Sequence, residues 1–199
     1  MIISFSQPKP DFKEITINNS AIQRIDSFKI LGVILQNDLK WNQHVNTVIS
    51  KANKRLYLLS HLKKAGIPTH DLLVLYNSLV IPILKYACEV YHSSLTQSLS
   101  EDLERVQKRA LRCIAGKPSA DYIELLNLFK LSSLEDQRIS KCKKLFHEMS
   151  RPDHKLNHYL VKNEQTHNLR HKRCYIVPKC RTKRFQKTFV PWSILTFDK

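Results

Sequence analysis

The stretch DSFKILGVILQNDLKW, Asp26 to Trp41, decides how this chain is read, because the hydrophobic period changes just beyond it. Phe28 to Leu35 is an apolar run of strand length, rich in Ile and Val and interrupted by Gly32. From Trp41 onward, Val45, Val48, Ile49, Ala52, Leu56, Leu59 and Leu62 recur every three or four residues, the stripe of an amphipathic helix. A glycine inside a strand marks either a bulge or the close approach of another backbone or a ligand. Both readings of Gly32 stand open from the sequence.

Toward the N-terminus, MIISF, EITIN and AIQRI are further short strand-like runs, with Pro8 and Pro10 in a loop after the first and Asn18-Asn19-Ser20 as a tight turn. Small antiparallel sheets of this kind are marginal alone and need a partner surface. Toward the C-terminus the pattern is helical. Gly66 and Pro68 stop the first helix, and Thr69 caps a second with the stripe Leu72, Leu75, Tyr76, Leu79, Ile83, Tyr86 and Ala87, kinked at Pro82. Ser98 to Glu101 has the pattern of a capping box. It opens a third helix burying Leu99, Leu103, Val106, Ala110, Cys113 and Ile114 and ending at Gly116 and Pro118. Shorter helices are expected near 119–129 and 133–150, the latter starting at Ser133-x-x-Asp136. The polar, basic stretch 161–191 reads as a loosely ordered arm.

The expected fold class is therefore α+β, mainly α. Strands occupy 1–40, a helical bundle 41–150 and a basic, weakly ordered extension 151–199.

Net charge is +16, and residues 151–199 alone carry 12 Lys+Arg against 3 Asp+Glu. Such an excess points to a polyanionic partner. The five cysteines are odd in number and scattered, and no secretory signal pattern is seen at the N-terminus, so a reduced, intracellular setting is expected. The longest apolar run falls well short of the roughly 18–20 residues that cross a bilayer, so no membrane partner is expected.

Catalytic signals are weak. The adjacent acidic pairs, Glu101-Asp102 and Glu135-Asp136, fall in expected first turns of helices, where negative charge complements the helix dipole. No Gly-rich phosphate loop, serine elbow or zinc-protease pattern occurs. His167, His171, Cys174 and Cys180 are zinc-ligand types, yet their spacing differs from a standard finger and their surroundings are strongly basic. The basic faces are more informative. Lys51, Lys54 and Arg55 lie off the apolar stripe of the first helix, and Arg105, Lys108, Arg109 and Arg112 form one side of the third. Arg181, Lys183 and Arg184 add cations in the tail, where Tyr175, Phe185, Phe189 and Trp192 either stack on bases or anchor the tail on the domain.

Five motifs then fall into order: FKILGVILQNDLKWNQHV, KANKRLYLLSHLKK, LYNSLVIPILKYACEVY, LERVQKRALRCIAG and RTKRFQKTFVPWSI. Together they resemble the C-terminal part of reverse transcriptases from non-LTR (LINE-type, jockey-like) retrotransposons. The resemblance implies that Phe28, Leu31 and Gly32 belong to a primer-grip hairpin near the primer end, and that the helices from Trp41 onward are thumb and connecting region. It also implies template–primer RNA or DNA as partner, held by phosphates. The family's Mg²⁺-binding aspartates precede the FKILG element, so the expectation is a truncated fragment without polymerase activity or a cofactor of its own. The alternatives are an inert fragment dependent on the palm or another polypeptide, or the thumb of a longer active polyprotein. Charge and family are both compatible with a nuclear location.

Overall fold

The computed structural model describes residue 13, residues 15–163 and residues 173–198. The strand expected at MIISF, the Pro8–Pro10 loop, His167 and His171 lie outside the described residues. Two hairpins come first. β1 (Thr16–Ile17) pairs antiparallel with β2 (Ser20–Ala21) through Asn18 and Asn19, whose φ angles are 49° and 59°. β3 (Ser27–Ile30) pairs antiparallel with β4 (Val33–Gln36), with Phe28 opposite Leu35 and Ile30 opposite Val33. Both turns have two central residues at positive φ, the backbone twist that suits a right-handed strand pair.

FKILGVIL is therefore two strands rather than one. Leu31 (φ 46°) and Gly32 (φ 83°) form the turn between them. Asn and Asp tolerate the left-handed conformation and announce such turns, whereas Leu does not; this is why the turn hid inside an apolar run. AIQRI likewise contributes only its first residue to a strand.

The helices follow the expected order. α1 (Asn42–Lys64) buries Val45, Val48, Ala52 and Leu59, with Ile49, Leu56 and Leu62 packed beside them. It starts after Trp41, and the side chain of Gln36 accepts a hydrogen bond from Gln43 N at 3.1 Å. α2 (Thr69–Leu75) begins with Thr69 inside the helix and Pro68 at the cap position, so Thr69 does not cap it. A π-helical turn, Tyr76–Val80, then leads into α3 (Ile81–Lys85). Pro82 explains it. In an α-helix its ring would press on the carbonyl four residues back. The wider turn removes that conflict, and Ile81 N–H bonds to Tyr76 O, five residues away. The added residue rotates everything downstream. The core passes to Val80, Ile81 and Leu84, leaving Leu79 and Tyr86 exposed, contrary to the simple stripe.

Ala87, left-handed at φ 48°, separates α3 from α4 (Cys88–Tyr91), which ends in a 3₁₀ turn, His92–Ser94. By length and composition, Thr69–Ser94 is apolar enough to cross a membrane, which the apolar runs of the sequence did not suggest. Here it is broken by the π-turn and by Ala87, and Leu72, Tyr76, Leu84, Cys88 and Tyr91 are buried in the same core as α1.

α5 (Gln97–Ala115) is capped by Thr96, whose hydroxyl accepts from Leu99 N at 3.3 Å, two residues ahead of the expected Ser98 cap. Leu111 rather than Cys113 is fully buried, and Gly116 ends the helix in the left-handed conformation. The Glu101-Asp102 pair consequently lies beyond the first turn: Glu101 accepts from Gln97, and Asp102 pairs with Arg105. α6 (Tyr122–Phe129) and α7 (Leu134–Met149) match expectation, and the Ser133 hydroxyl accepts from Asp136 N at 3.0 Å.

The described part of the C-terminal region is packed rather than loose. α8 (Lys183–Gln186) and α9 (Phe189–Phe197) fold back, and Ile194 joins Phe146, Met149 and Leu160 in a second small core against α7. The Asp198 carboxylate accepts from the backbone N–H groups of Cys174 and Tyr175 at 3.1 and 2.8 Å. Tyr175 packs edge-on against Phe146, and Trp192 against His92 and Phe197. These aromatics anchor the tail; Phe185 alone of the four is exposed.

Candidate nucleic-acid interface

α1 and α5 lie side by side and run parallel: Asn53 meets Arg109 near their middles, and Lys63 lies beside Gly116 at their C-terminal ends. At about 100° per residue, Asn46, Ser50, Asn53 and Tyr57 form the α1 flank toward α5, with Lys54 at the crest. Arg109 Nη2 donates to Asn53 Oδ1 at 2.6 Å across the seam, and Arg105, one turn earlier, is held by Asp102. Lys54 and Arg109 are exposed, and Tyr57 stacks on His61 with ring centroids 4.2 Å apart. This is a shallow polar face with a cationic border and one exposed aromatic ring.

Lys51 and Arg55 do not belong to this face. They occupy the opposite flank of α1, where Lys51 lies close enough to His44 to help hold its pKa down, burial being the larger cause. His44 Nδ1 accepts from Ile34 N at 3.3 Å and docks the β3–β4 hairpin on α1. Lys108 and Arg112 lean the other way, toward the α5–α6 connection; Arg112 Nε donates to Ala120 O at 3.1 Å. The basic residues expected on two shared faces thus divide among three directions.

Gly32 lies at the hairpin tip beside Tyr86. The Tyr86 hydroxyl donates to Leu31 O at 2.7 Å, and a Cβ on Gly32 would stand 3.1 Å from Tyr86 Cε1. Its close neighbour is therefore a side chain of this same chain.

Lys183 and Arg184 sit elsewhere again. They line a cleft of about 880 Å³ between the β4–α1 loop, the α4–α5 connection and α8–α9. Arg184 Nη1 donates to Asp38 O at 2.9 Å, and the Ser94 hydroxyl donates to Lys187 O at 2.9 Å, so the tail is tied to both walls. Lys40 and Lys187 line the same cleft. Lys40, isolated in the sequence, was not selected from it, whereas Lys187 belongs to the basic tail. Arg181 is exposed just ahead of α8.

Behind the α5 wall of the cleft is a polar core. Arg138 is fully buried; its Nη2 donates to Ser100 Oγ at 2.6 Å and its Nε to His92 Nδ1 at 3.3 Å, while Nη1 has no partner among the described residues. Burial, then the Arg138 charge, lowers the His92 pKa to about 4, so the ring stays neutral and accepts. Further along the same face of α5, Glu104 accepts from Leu134 N at 2.9 Å and from Tyr122, and Gln107 joins Tyr76, Tyr122 and Ser132. These groups fix α5, and with it Arg105 and Arg109, against α6 and α7.

Among the described residues, no three His, Cys, Asp or Glu side chains come together to hold a metal ion. Of the zinc-ligand types, Cys174 is exposed, and the Cys180 thiol donates to Pro178 O at 3.1 Å.

The chain is 27% identical over 118 residues to an RNA-directed DNA polymerase from the mobile element jockey of Drosophila funebris. The matched segment covers 58% of this chain and 13% of that polymerase. No family model and no solved structure matches.

Proposed function

We propose that this chain is a thumb-like, nucleic-acid-binding portion of a non-LTR retrotransposon reverse transcriptase, which holds RNA or DNA template–primer through phosphate contacts without reading its sequence. The observation that carries the proposal is the parallel α1/α5 pair, with Lys54, Arg105 and Arg109 bordering a face of short polar side chains. Short polar residues let a phosphate ridge approach, and cations along the border neutralise it. The similarity to a mobile-element polymerase agrees with this reading. No polymerisation step is proposed for these 199 residues, because none of their carboxylates is assigned to the family's Mg²⁺ site.

The test is fluorescence anisotropy with an RNA–DNA hybrid across a salt series. With about four phosphates neutralised, affinity should fall by about two orders of magnitude between 50 and 200 mM salt. Lys54→Glu combined with Arg109→Glu should flatten the log–log salt slope by about 2. A slope near zero in the unaltered chain refutes the reading.

A second reading, dependence on another polypeptide, is favoured by one observation. Phe28, Ile30 and Leu31 are 52%, 48% and 86% exposed beside an edge of β3 that pairs with no strand among the described residues. Exposed apolar edges of this kind seek a partner. A stable monomer on a sizing column, at concentrations well above those of the binding assay, counts against it.

A further inference from the structure

The cleft between the β4–α1 loop, the α4–α5 connection and α8–α9 has a mixed lining, with Lys40, Lys183 and Lys187 alongside Trp41, Leu99 and Phe189. Asp102 is the single carboxylate that lines it, and that carboxylate is taken by Arg105. Lys183 and Lys187 have no ion-pair partner among the described residues; Lys40 has only Asp38, at 3.6 Å on an exposed surface. The positive potential is reinforced from inside. Arg138 is fully buried behind Ser100 with neutral partners alone, and a buried guanidinium without a counter-charge projects a field that water screens poorly. Trp41, 8% exposed, lines the same cleft, and its indole N–H has no acceptor among the described residues.

A duplex turns its bases inward and offers a groove only phosphates and edges. It has no use for apolar side chains recessed among lysines. An unpaired strand presents both a phosphate and an exposed base face at every nucleotide, which is what a cleft lined by lysines and aromatic rings together accommodates. Resting on the nucleic-acid reading above, we propose that this cleft holds an unpaired, single-stranded segment of the bound polynucleotide. Its phosphates lie along Lys183, Lys187 and Lys40, and a base lies against Phe189 and the edge of Trp41. The α1/α5 face and the cleft are then separate sites, one for paired and one for unpaired nucleic acid. They share a boundary at Asn46 and Asp102, next to Arg105.

The test uses the full 199-residue chain with two fluorescent probes of equal length, a single-stranded oligo(U) and an RNA–DNA hybrid. Lys183→Ala with Lys187→Ala removes two exposed cations, and its thermal unfolding should match that of the unaltered chain. This variant should bind the single strand about tenfold more weakly, with the salt slope reduced by about 1.4 and hybrid affinity changed by less than about twofold. Lys54→Glu with Arg109→Glu should do the reverse. In a Trp192→Phe background, which leaves Trp41 as the one indole, the single strand should shift the emission and the hybrid should not. Equal losses for both probes, or no loss for the single strand, overturn the cleft assignment while leaving the nucleic-acid reading intact. Failure of the unaltered chain to bind either probe overturns both.

Discussion

Replacing Gly32 by alanine separates two penalties that the structure places on one residue. The first is conformational: φ is 83°, where a Cβ costs about 1–2 kcal/mol. The second is steric. The new Cβ would stand 3.1 Å from Tyr86 Cε1, and Tyr86 is held in place by its 2.7 Å hydrogen bond to Leu31 O. A contact that tight makes the ring yield by a few tenths of an ångström and weakens the hydrogen bond, worth about 1 kcal/mol. Gly32→Ala should therefore destabilise the hairpin by about 2–3 kcal/mol. In a Tyr86→Ala background the steric part vanishes and about 1–2 kcal/mol remains, so the double-mutant cycle should show a coupling of about 1 kcal/mol. Urea unfolding followed by Trp fluorescence gives the global value, and hydrogen exchange at the Ile30 and Val33 amides gives the local one. The second measurement matters because an exposed hairpin can open without the rest of the fold. A Gly32→Ala cost below about 0.5 kcal/mol in both measurements refutes the left-handed turn. An unchanged cost in the Tyr86→Ala background refutes the Tyr86 contact.

Two other outcomes follow from the buried polar groups. Gln107, fully buried, joins Tyr76, Tyr122 and the Ser132 carbonyl, so Gln107→Ala should strand those groups and cost about 2–4 kcal/mol by denaturant unfolding, against under about 1 kcal/mol for the exposed Gln97→Ala. His92 titrates near 4 in the fold and near the ordinary histidine value of 6.5 when unfolded, so the unfolded chain binds the extra proton between those pH values. Stability is complete above about pH 6.5 and is lost as pH falls toward 4, by about 1–2 kcal/mol once solvent screening of this half-buried ring is allowed for. His92→Gln, which keeps an acceptor for Arg138, should flatten that part of a stability–pH profile.

The helices were legible because their signals are local. Periodic apolar residues in α1 and α5, the Gly66 and Gly116 stops and the Ser133 cap each act within a turn or two of backbone, where spacing translates directly into geometry. Errors arose where local rules compete. Thr96 outcompetes Ser98 as the α5 cap, and Pro82 is absorbed by a π-turn that rotates the following core residues. The Leu31-Gly32 turn was hidden because one of its two residues is the wrong type for it.

The amino-acid sequence by itself determined the mainly helical class, the order of elements and the positive charge, all of which follow from nearest-neighbour periodicity and composition. Tertiary structure alone decided which cations share a surface. The case is plainest at Arg184, which reaches Asp38 across 146 residues to close a cleft that also contains Lys40 and Lys187. A helix repeat specifies which side of an element is apolar. It does not specify which element covers that side, and a cleft exists only after distant walls have been brought together by burial of the second core around Phe146 and Ile194.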